Sequence, residues 1–483
     1  MNNYSISLLL TYIKRCSFVL KKALSKDHDY LKGSMALKCR KAKAMEKKDI
    51  MEKVKTDKIE FIDLMFSDLS GRLKSVTMSP RELEDCLDNG KWFDGSSIEG
   101  FTRIHESDML LIPDLSTYLF LPWPRSEKNV ARMICEVHEP GKTPFAGDPR
   151  YVFQRILERA KEKGYFYRVG PEIEFFLFRS KESRTYHDTA GYFDFSPRDL
   201  ATDIRAVMMS TLETLGVNVE MTHHECAPSQ HEIDIEYGDA LRIADNVMTL
   251  KQAIKTVANN SGLYATFMPK PVLGVNGSGM HTHQSLFGED GGNLFYEEGN
   301  KYKLSSLAYY FLGGQLRHIR EIAAVLCPTV NSYKRLVRGY EAPVYICWGQ
   351  RNRSALIRVP RYSVGREKST RLELRCPDPS CNPYLAFAVM LAAGLRGIEE
   401  KIEPPAPVEE DVYGFDDSKL TEFYIKTLPA DLGEAMDDFR KSKLMRETLG
   451  DHVFNKYLEA KTSEWNEFQR SVTDWELNKY KDL

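Results

Sequence analysis

Residues 276–283 read Asn276-Gly277-Ser278-Gly279-Met280-His281-Thr282-His283, and the two histidines spaced two apart ask for acidic partners elsewhere in the chain. Those partners exist. Glu172 and Glu174 lie in Gly170-Pro171-Glu172-Ile173-Glu174-Phe175-Phe176-Leu177-Phe178, Glu225 follows His223-His224, Glu232 follows Gln230-His231, and Glu373 sits in Arg371-Leu372-Glu373-Leu374-Arg375. In a strand, side chains two apart share a face, so each pair points into one cleft while its apolar neighbours pack behind. A single Glu-x-Glu is usually a solvated strand face. Several in one chain, flanked by aromatic residues, put charge where it is costly unless paired or metal-bound. Five carboxylates and one histidine form a home for two hard divalent cations, and so oxygen-rich a set selects Mg²⁺ or Mn²⁺ over zinc.

Length and composition agree. The 483 residues exceed one ordinary core and suggest two unequal domains. A net charge of −2 hides an asymmetry, because residues 1–58 hold 15 Lys and Arg against 6 Asp and Glu, which leaves the remainder at −11. An acidic body disfavours nucleic acid and suits a protein that gathers cations and small charged ligands. The nine cysteines show no CxxC pair, so reduced thiols in a cytoplasmic protein are expected. The longest apolar run, Leu385 to Leu395, falls well short of the roughly 20 residues of a membrane span. It reads as a buried helix.

The fold class expected is α+β. Residues 1–48 form a basic head with three competing readings: a transit-like segment, a surface-binding arm, or a disordered extension ahead of a working start at Met45. Lysines dominate over arginines and Asp27 and Asp29 intrude, which favours the extension. From Ile59, extended pieces joined by the turn Asp68 to Arg72 give a hairpin, and further short strands complete a small sheet domain over 49–148. Residues 149–483 alternate strands with amphipathic helices, beginning with Pro149 to Lys163, which Gly164 stops.

The chemistry these residues suggest is ATP chemistry. Two divalent ions can clamp a transferring phosphoryl group. There is no GxxxxGK[ST] loop, and residues 274–279 are not GxGxxG. Arg335, Arg353, Arg358 and Arg375 supply an anion clamp instead, because guanidinium donors match carboxylate and phosphate.

Phe93-Asp94-Gly95-Ser96-Ser97, His223-His224-Glu225, residues 276–283, the segment Asn331 to Pro343 and Asn382-Pro383-Tyr384 together resemble type I glutamine synthetase, from about residue 49 to the end. The resemblance implies a small N-terminal β-grasp domain and a catalytic domain with a curved antiparallel sheet flanked by helices. It also implies a cytoplasmic homo-oligomer, a dodecamer of two stacked hexameric rings with active sites between neighbours. By motif position it implies one metal site on Glu174, Glu225 and Glu232 and a second on Glu172, His281 and Glu373, holding two or more Mg²⁺ or Mn²⁺ per subunit. Glutamate is placed among Asn276, Gly277, Arg335, Glu341 and Arg375, with Arg358 facing phosphate. ATP, as co-substrate, is placed near Glu220, Tyr237, His283, Ser285, Arg353, Lys368 and Arg371. The catalytic residues implied are Asp94 from the adjacent subunit, Glu341 and Arg353.

The implied reaction joins ammonium to L-glutamate through γ-glutamyl phosphate. A γ-glutamyl-polyamine ligase is the nearest alternative; the carboxylates Asp94 and Glu341 favour ammonia. A catalytically silent relative should have lost metal ligands, and all six are intact, while room remains for regulatory protein partners. This chain departs from the family pattern at Arg338, where proline usually precedes the glycine, at Cys226, usually valine, and at Gly349-Gln350-Arg351. Residues 179–195 lack the long insertion of the adenylylated branch and Tyr413 matches its modified tyrosine only loosely, so no adenylylation is expected there.

Overall fold

The computed structural model describes residues 45–100 and 108–483, so the transit-like, surface-arm and disordered-extension readings of the basic head at residues 1–44 lie outside the described residues. Among the described residues the first element, α1 (Lys47–Thr56), starts with a capping box between Glu46 and Asp49 and buries Ile50 and Val54, one turn apart. It begins two residues before the expected head of the small domain.

The expected hairpin is β1 (Phe61–Ser67) and β2 (Leu73–Met78), with Ser67 opposite Leu73. Asp68 closes its turn by accepting from the Arg72 amide at 2.8 Å. There follow α2 (Leu83–Asn89), β3 (Lys91–Asp94), β4 (Asp108–Pro113), β5 (Leu119–Arg125) and β6 (Lys128–His138). The sheet order is β2-β1-β6-β4-β3, with β5 also on β6 and with β1 and β6 parallel. Alternation along β1 explains how this domain docks. Ile62, Leu64 and Phe66 join the small-domain core with Ile50, whereas Met65 belongs to the main core.

The larger part runs α3 (Pro149–Lys161), β7 (Phe166–Phe178), α4 (Thr202–Thr214), β8 (Val219–His224), β9 (Gln230–Ile235), β10 (Gly238–Asp239), α5 (Ala240–Asn260), β11 (Tyr264–Thr266) and β12 (Met280–Phe287). It continues through α6 (Ser306–Leu326), the single turn α7 (Ser332–Arg335), β13 (Tyr345–Gly349), β14 (Ala355–Arg358), β15 (Leu372–Leu374), α8 (Pro383–Glu400) and β16 (Lys426–Thr427) to helices at Leu432–Lys441 and Lys443–Arg470. Ten strands form a curled sheet in the order β16-β13-β14-β15-β12-β7-β9-β8, with β10 and β11 paired to β7. The α+β class holds, with one correction to the expected antiparallel sheet: β13 and β14 are parallel. The connection Gln350–Ser354 is held near the end of β13 by Glu409, which accepts from the Gln350 and Arg351 amides, and by Asn352, whose Nδ2 donates to the Val408 carbonyl, while the Val408 amide donates to Trp348 O.

The apolar run Leu385 to Leu395 lies inside α8 and is buried throughout. Its glycines allow α8 to touch α6 backbone to backbone: a Cβ on Gly397 would sit 2.1 Å from the Tyr310 carbonyl oxygen. Where α8 begins, Asn382 caps it through Tyr384 N (3.1 Å) and donates to the Asp68 carbonyl (3.1 Å), tying the hairpin turn to the larger domain.

A buried ion network makes the other tie. Arg150, 3% exposed, bonds Asp114 Oδ2 at 2.7 Å and both Asp245 oxygens at 3.1 Å, and Tyr384 donates its hydroxyl to Asp245 at 2.7 Å. Arg150→Met leaves the Asp245 carboxylate buried without its cation. Stability should fall by about 3–5 kcal/mol, read as a lower urea midpoint.

Candidate active site

The polar residues of the central strands fall on one face because the registers align them. On β7, Glu172 lies opposite His281 of β12, and Glu174 opposite Glu232 of β9, which in turn faces His223 of β8. Glu373 of β15 lies opposite His283 of β12 and Arg358 of β14. Ile173, between the two glutamates, is fully buried in the main core. Further along the same face of β7, Phe176 and Phe178 form an apolar wall with Ala227.

These side chains line a cavity of about 350 Å³. All six expected metal ligands line it, as do Asn276, Gly277, Arg335, Glu341, Arg353, Arg358 and Arg375. Glu220, Tyr237, His283, Ser285, Lys368, Arg371 and Asp94 are not among its lining residues. Asp94 ends β3 in the small domain. His283 turns to Glu172, its Nε2 2.7 Å from Oε1, and its Nδ1 accepts from Arg371 Nε at 3.1 Å. Ser285 is buried opposite Arg168, Tyr237 stacks on Phe287 under the Arg168 guanidinium, and Glu220 and Lys368 are exposed.

The glycine loop before β12 is required by close approach. A Cβ on Gly279 would meet Arg335 Nη2 at 2.5 Å and His281 Nε2 at 3.1 Å, and the Gly279 amide donates to Glu174 Oε2 at 2.9 Å. Gln230 Nε2 donates to the same oxygen at 2.9 Å and to the Gly277 carbonyl at 3.0 Å. Arg335 spends its guanidinium on backbone carbonyls, Cys376 at 2.7 Å and Arg375 at 3.0 Å, so it braces the loop from beneath.

Electrostatically the cavity has two halves. On the β12 and β15 side, burial opposes the Glu172 charge, but hydrogen bonds from His281 (3.2 Å) and His283 outweigh it and hold the carboxyl well below its usual range. Glu373, fully buried, is likewise held at about 2 against burial by Arg375, and Arg358 Nη1 donates to it at 2.8 Å. Burial and Arg375 push His281 down to about 4, leaving a neutral imidazole with a ring nitrogen able to ligate. On the β8 and β9 side burial and mutual repulsion outweigh the cations, Arg335 and Arg375 offsetting them only in part at Glu174. Burial, then Glu225, raises Glu174 to about 8; burial, then Glu232, raises Asp234 to about 9. Burial and the neighbouring glutamates push Glu232 well up, and Glu225 is raised by burial, with Glu341 contributing.

Carboxylates crowded until they hold protons are what a hard cation replaces, so the donor set fits divalent metal. Donor atoms of Glu172, His281 and Glu373 lie within 4.8 Å of one another, the group expected. The other expected group divides: Glu232 joins Glu174 and His281 on one side, and His223 and Glu225 on the other. His223, 3.2 Å from Glu232 and 3.6 Å from Glu225, was not among the candidate ligands, nor were Gln230 and Tyr192, which also line the cavity. The signal was present, because His223 and Glu225, and likewise Gln230 and Glu232, are spaced two apart. Behind them, His224 fixes the backbone of Glu225 by bridging its carbonyl (2.7 Å) and Asp188 Oδ1 (2.8 Å).

Residues 146–480 match the family model described as the catalytic domain of glutamine synthetase, and residues 58–140 the one described as its beta-Grasp domain. The glutamine synthetase of Methanosarcina mazei is 51% identical over 442 residues, which is 91% of this chain and 98% of that protein. That of Thermotoga maritima is 50% identical, covering 88% and 97%. Among solved structures, one described as a GmaS/ADP complex superposes with a TM-score of 0.83 at 33% identity, covering 90% of this chain and all of the other. The Plasmodium falciparum glutamine synthetase solved by electron cryomicroscopy gives a TM-score of 0.82 at 25% identity, covering 90% and 99%.

Proposed function

Because this chain belongs to the glutamine synthetase family, we infer that its cavity is where ammonia is joined to L-glutamate with ATP, giving L-glutamine, ADP and phosphate. It is a glutamate–ammonia ligase, and relatives near 50% identity do not favour the polyamine reading. The observation that carries the reading is the meeting, in one cavity, of six metal-type ligands, four arginines and Glu341.

Two or more Mg²⁺ or Mn²⁺ ions on Glu174, Glu225 and Glu232, and on Glu172, His281 and Glu373, would supply Lewis acidity to the phosphoryl oxygens. Asn276, Gly277, Arg335 and Arg375 orient glutamate, and ATP lies toward Glu220, Tyr237, His283, Ser285, Lys368 and Arg371. The γ-carboxylate attacks the terminal phosphorus in line, ADP leaves, and Arg353 and Arg358 offset the charge that develops. The acyl phosphate then needs a nucleophile. Asp94 takes a proton from ammonium, the free lone pair attacks the γ-carbon, and phosphate departs as the carbon–oxygen bond breaks. Glu341, whose charge already bears on Glu225, helps hold the ammonium cation.

Asp94 ends a strand of the small domain and is not among the residues lining its own chain's cavity. That supports completion by a neighbouring copy, in a cytoplasmic dodecamer of two stacked hexameric rings. Among the described residues no helix is long and apolar enough to cross a membrane. A product assay comparing ammonia with putrescine, with and without Asp94→Ala, tests the assignment. Ammonia should be the faster substrate, and Asp94→Ala should slow glutamine formation by about 10²–10³-fold. Faster product formation with putrescine would reverse the choice of nucleophile.

A further inference from the structure

Glu341 occupies the left-handed region, φ +56°, in the loop from Leu336 to Pro343 that joins α7 to β13. A non-glycine residue persists there when its surroundings hold it. Here the residues on both sides of it are gripped by distant elements. Before it, the Tyr340 ring lies under the ammonium of Lys270, 4.0 Å from centroid to Nζ, and that ammonium also donates to the Val275 carbonyl. Lys270 is buried, and its backbone is fixed by Asn331, which accepts from Lys270 N at 2.7 Å and donates to its carbonyl at 3.0 Å. After it, the Tyr413 hydroxyl donates to the Ala342 carbonyl at 2.6 Å. Tyr413 stands in the turn Val412–Gly414, capped by Asp411, with its ring against Tyr345.

We propose that Lys270 and Tyr413 are positioning residues that hold Glu341 at the cavity and so govern whether ammonia or water takes the acyl phosphate. The proposal rests on Glu341 as an ammonium ligand. In amidation the nitrogen lone pair bonds to the γ-carbon and phosphate leaves. In hydrolysis a water oxygen bonds to the same carbon, the same carbon–oxygen bond breaks, and glutamate is regenerated with ATP already cleaved. The ratio of ADP to glutamine formed therefore reads the partition. A general loss of folded enzyme would leave that ratio alone.

Tyr413→Phe keeps the packed ring and deletes one hydrogen bond; Lys270→Met keeps the stem and deletes the cation, while Lys270→Arg retains it. Tyr413→Phe and Lys270→Met should each raise KM for ammonium about 5–10-fold, with KM for glutamate unchanged, and should raise the ADP-to-glutamine ratio above the parent's. Lys270→Arg should stay near the parent. Independently of activity, trypsin should cut after the exposed Arg338 in this loop about 5–10-fold faster in both loosened variants. Either variant suffices should the other fail to fold. Equal cutting rates overturn the anchoring, and faster cutting at an unchanged ratio overturns its link to ammonia capture. A parent that forms no glutamine would defeat the assigned reaction while the cutting rates still judged the anchors.

Discussion

Glu373→Gln should lower glutamine formation on the order of 10³-fold and weaken Mn²⁺ binding, measured directly by titration, at least tenfold. Glu373 is fully buried and takes hydrogen bonds from Arg358 and Arg375, while His281 Nδ1 lies 4.0 Å from its Oε1. The amide keeps the shape and one acceptor but removes the charge. Two guanidiniums then face a neutral group, and the donor set shared with Glu172 and His281 loses an anion. Arg375 is itself buried, with its Nε already lacking a partner, and Glu373 is the carboxylate that bears on it most strongly. Because the loss acts on both the metal and the arginine clamp, it should exceed what either would lose singly. Undiminished Mn²⁺ binding together with activity within tenfold of the parent would remove Glu373 from the centre of the site.

The period-two spacing was sufficient to foresee this face. Glu172 with Glu174, and His281 with His283, needed only the geometry of a strand to share a side, with Ile173 between the first pair in the core and Thr282 between the second buried. Helices announced themselves in the same way: the stretch Pro149 to Lys163 forms α3 over Pro149–Lys161, and Leu385 to Leu395 is buried as expected. What local pattern does not carry is pairing between distant segments. The parallel partnership of β13 with β14 is accompanied by Glu409, 59 residues from Gln350 and 58 from Arg351, holding both of their amides. Tyr413 is a similar case. In sequence it was a loosely matched tyrosine, whereas its hydroxyl contacts the backbone next to Glu341, 71 residues away. His223 and Gln230 were legible by the same spacing rule, each lying two residues before a cavity glutamate. They sit in the cavity because Glu225 and Glu232 do.

Metal-free protein should lose stability as pH rises from about 5 to 9, and saturating Mg²⁺ should remove most of that slope. Glu174 at about 8, Asp234 at about 9, and Glu225 and Glu232, both raised, have folded-state values above those of an unfolded chain. Below the unfolded value near 4.5 both states hold these protons and the groups are neutral in effect. Above it the unfolded chain releases protons that the folded chain retains, so stability falls until the folded groups ionise as well. Glu172 and Glu373, held low, have the opposite sign, but their contribution is lost only in acid. A divalent ion taking the place of those protons should release them: about one to two per site near pH 7, seen by calorimetry in buffers of different ionisation heat. At 100-fold excess over its dissociation constant the ion contributes about 2.7 kcal/mol, and at a fixed ion concentration that contribution should grow with pH as proton competition weakens. Glu174→Gln separates the two effects. It should raise the metal-free melting temperature at pH 8 while weakening Mg²⁺ binding, because the crowding that destabilises the empty cavity is the same crowding that draws in the cation. A flat metal-free profile, or binding without proton release, would mean that these carboxylates are relieved by some other partner.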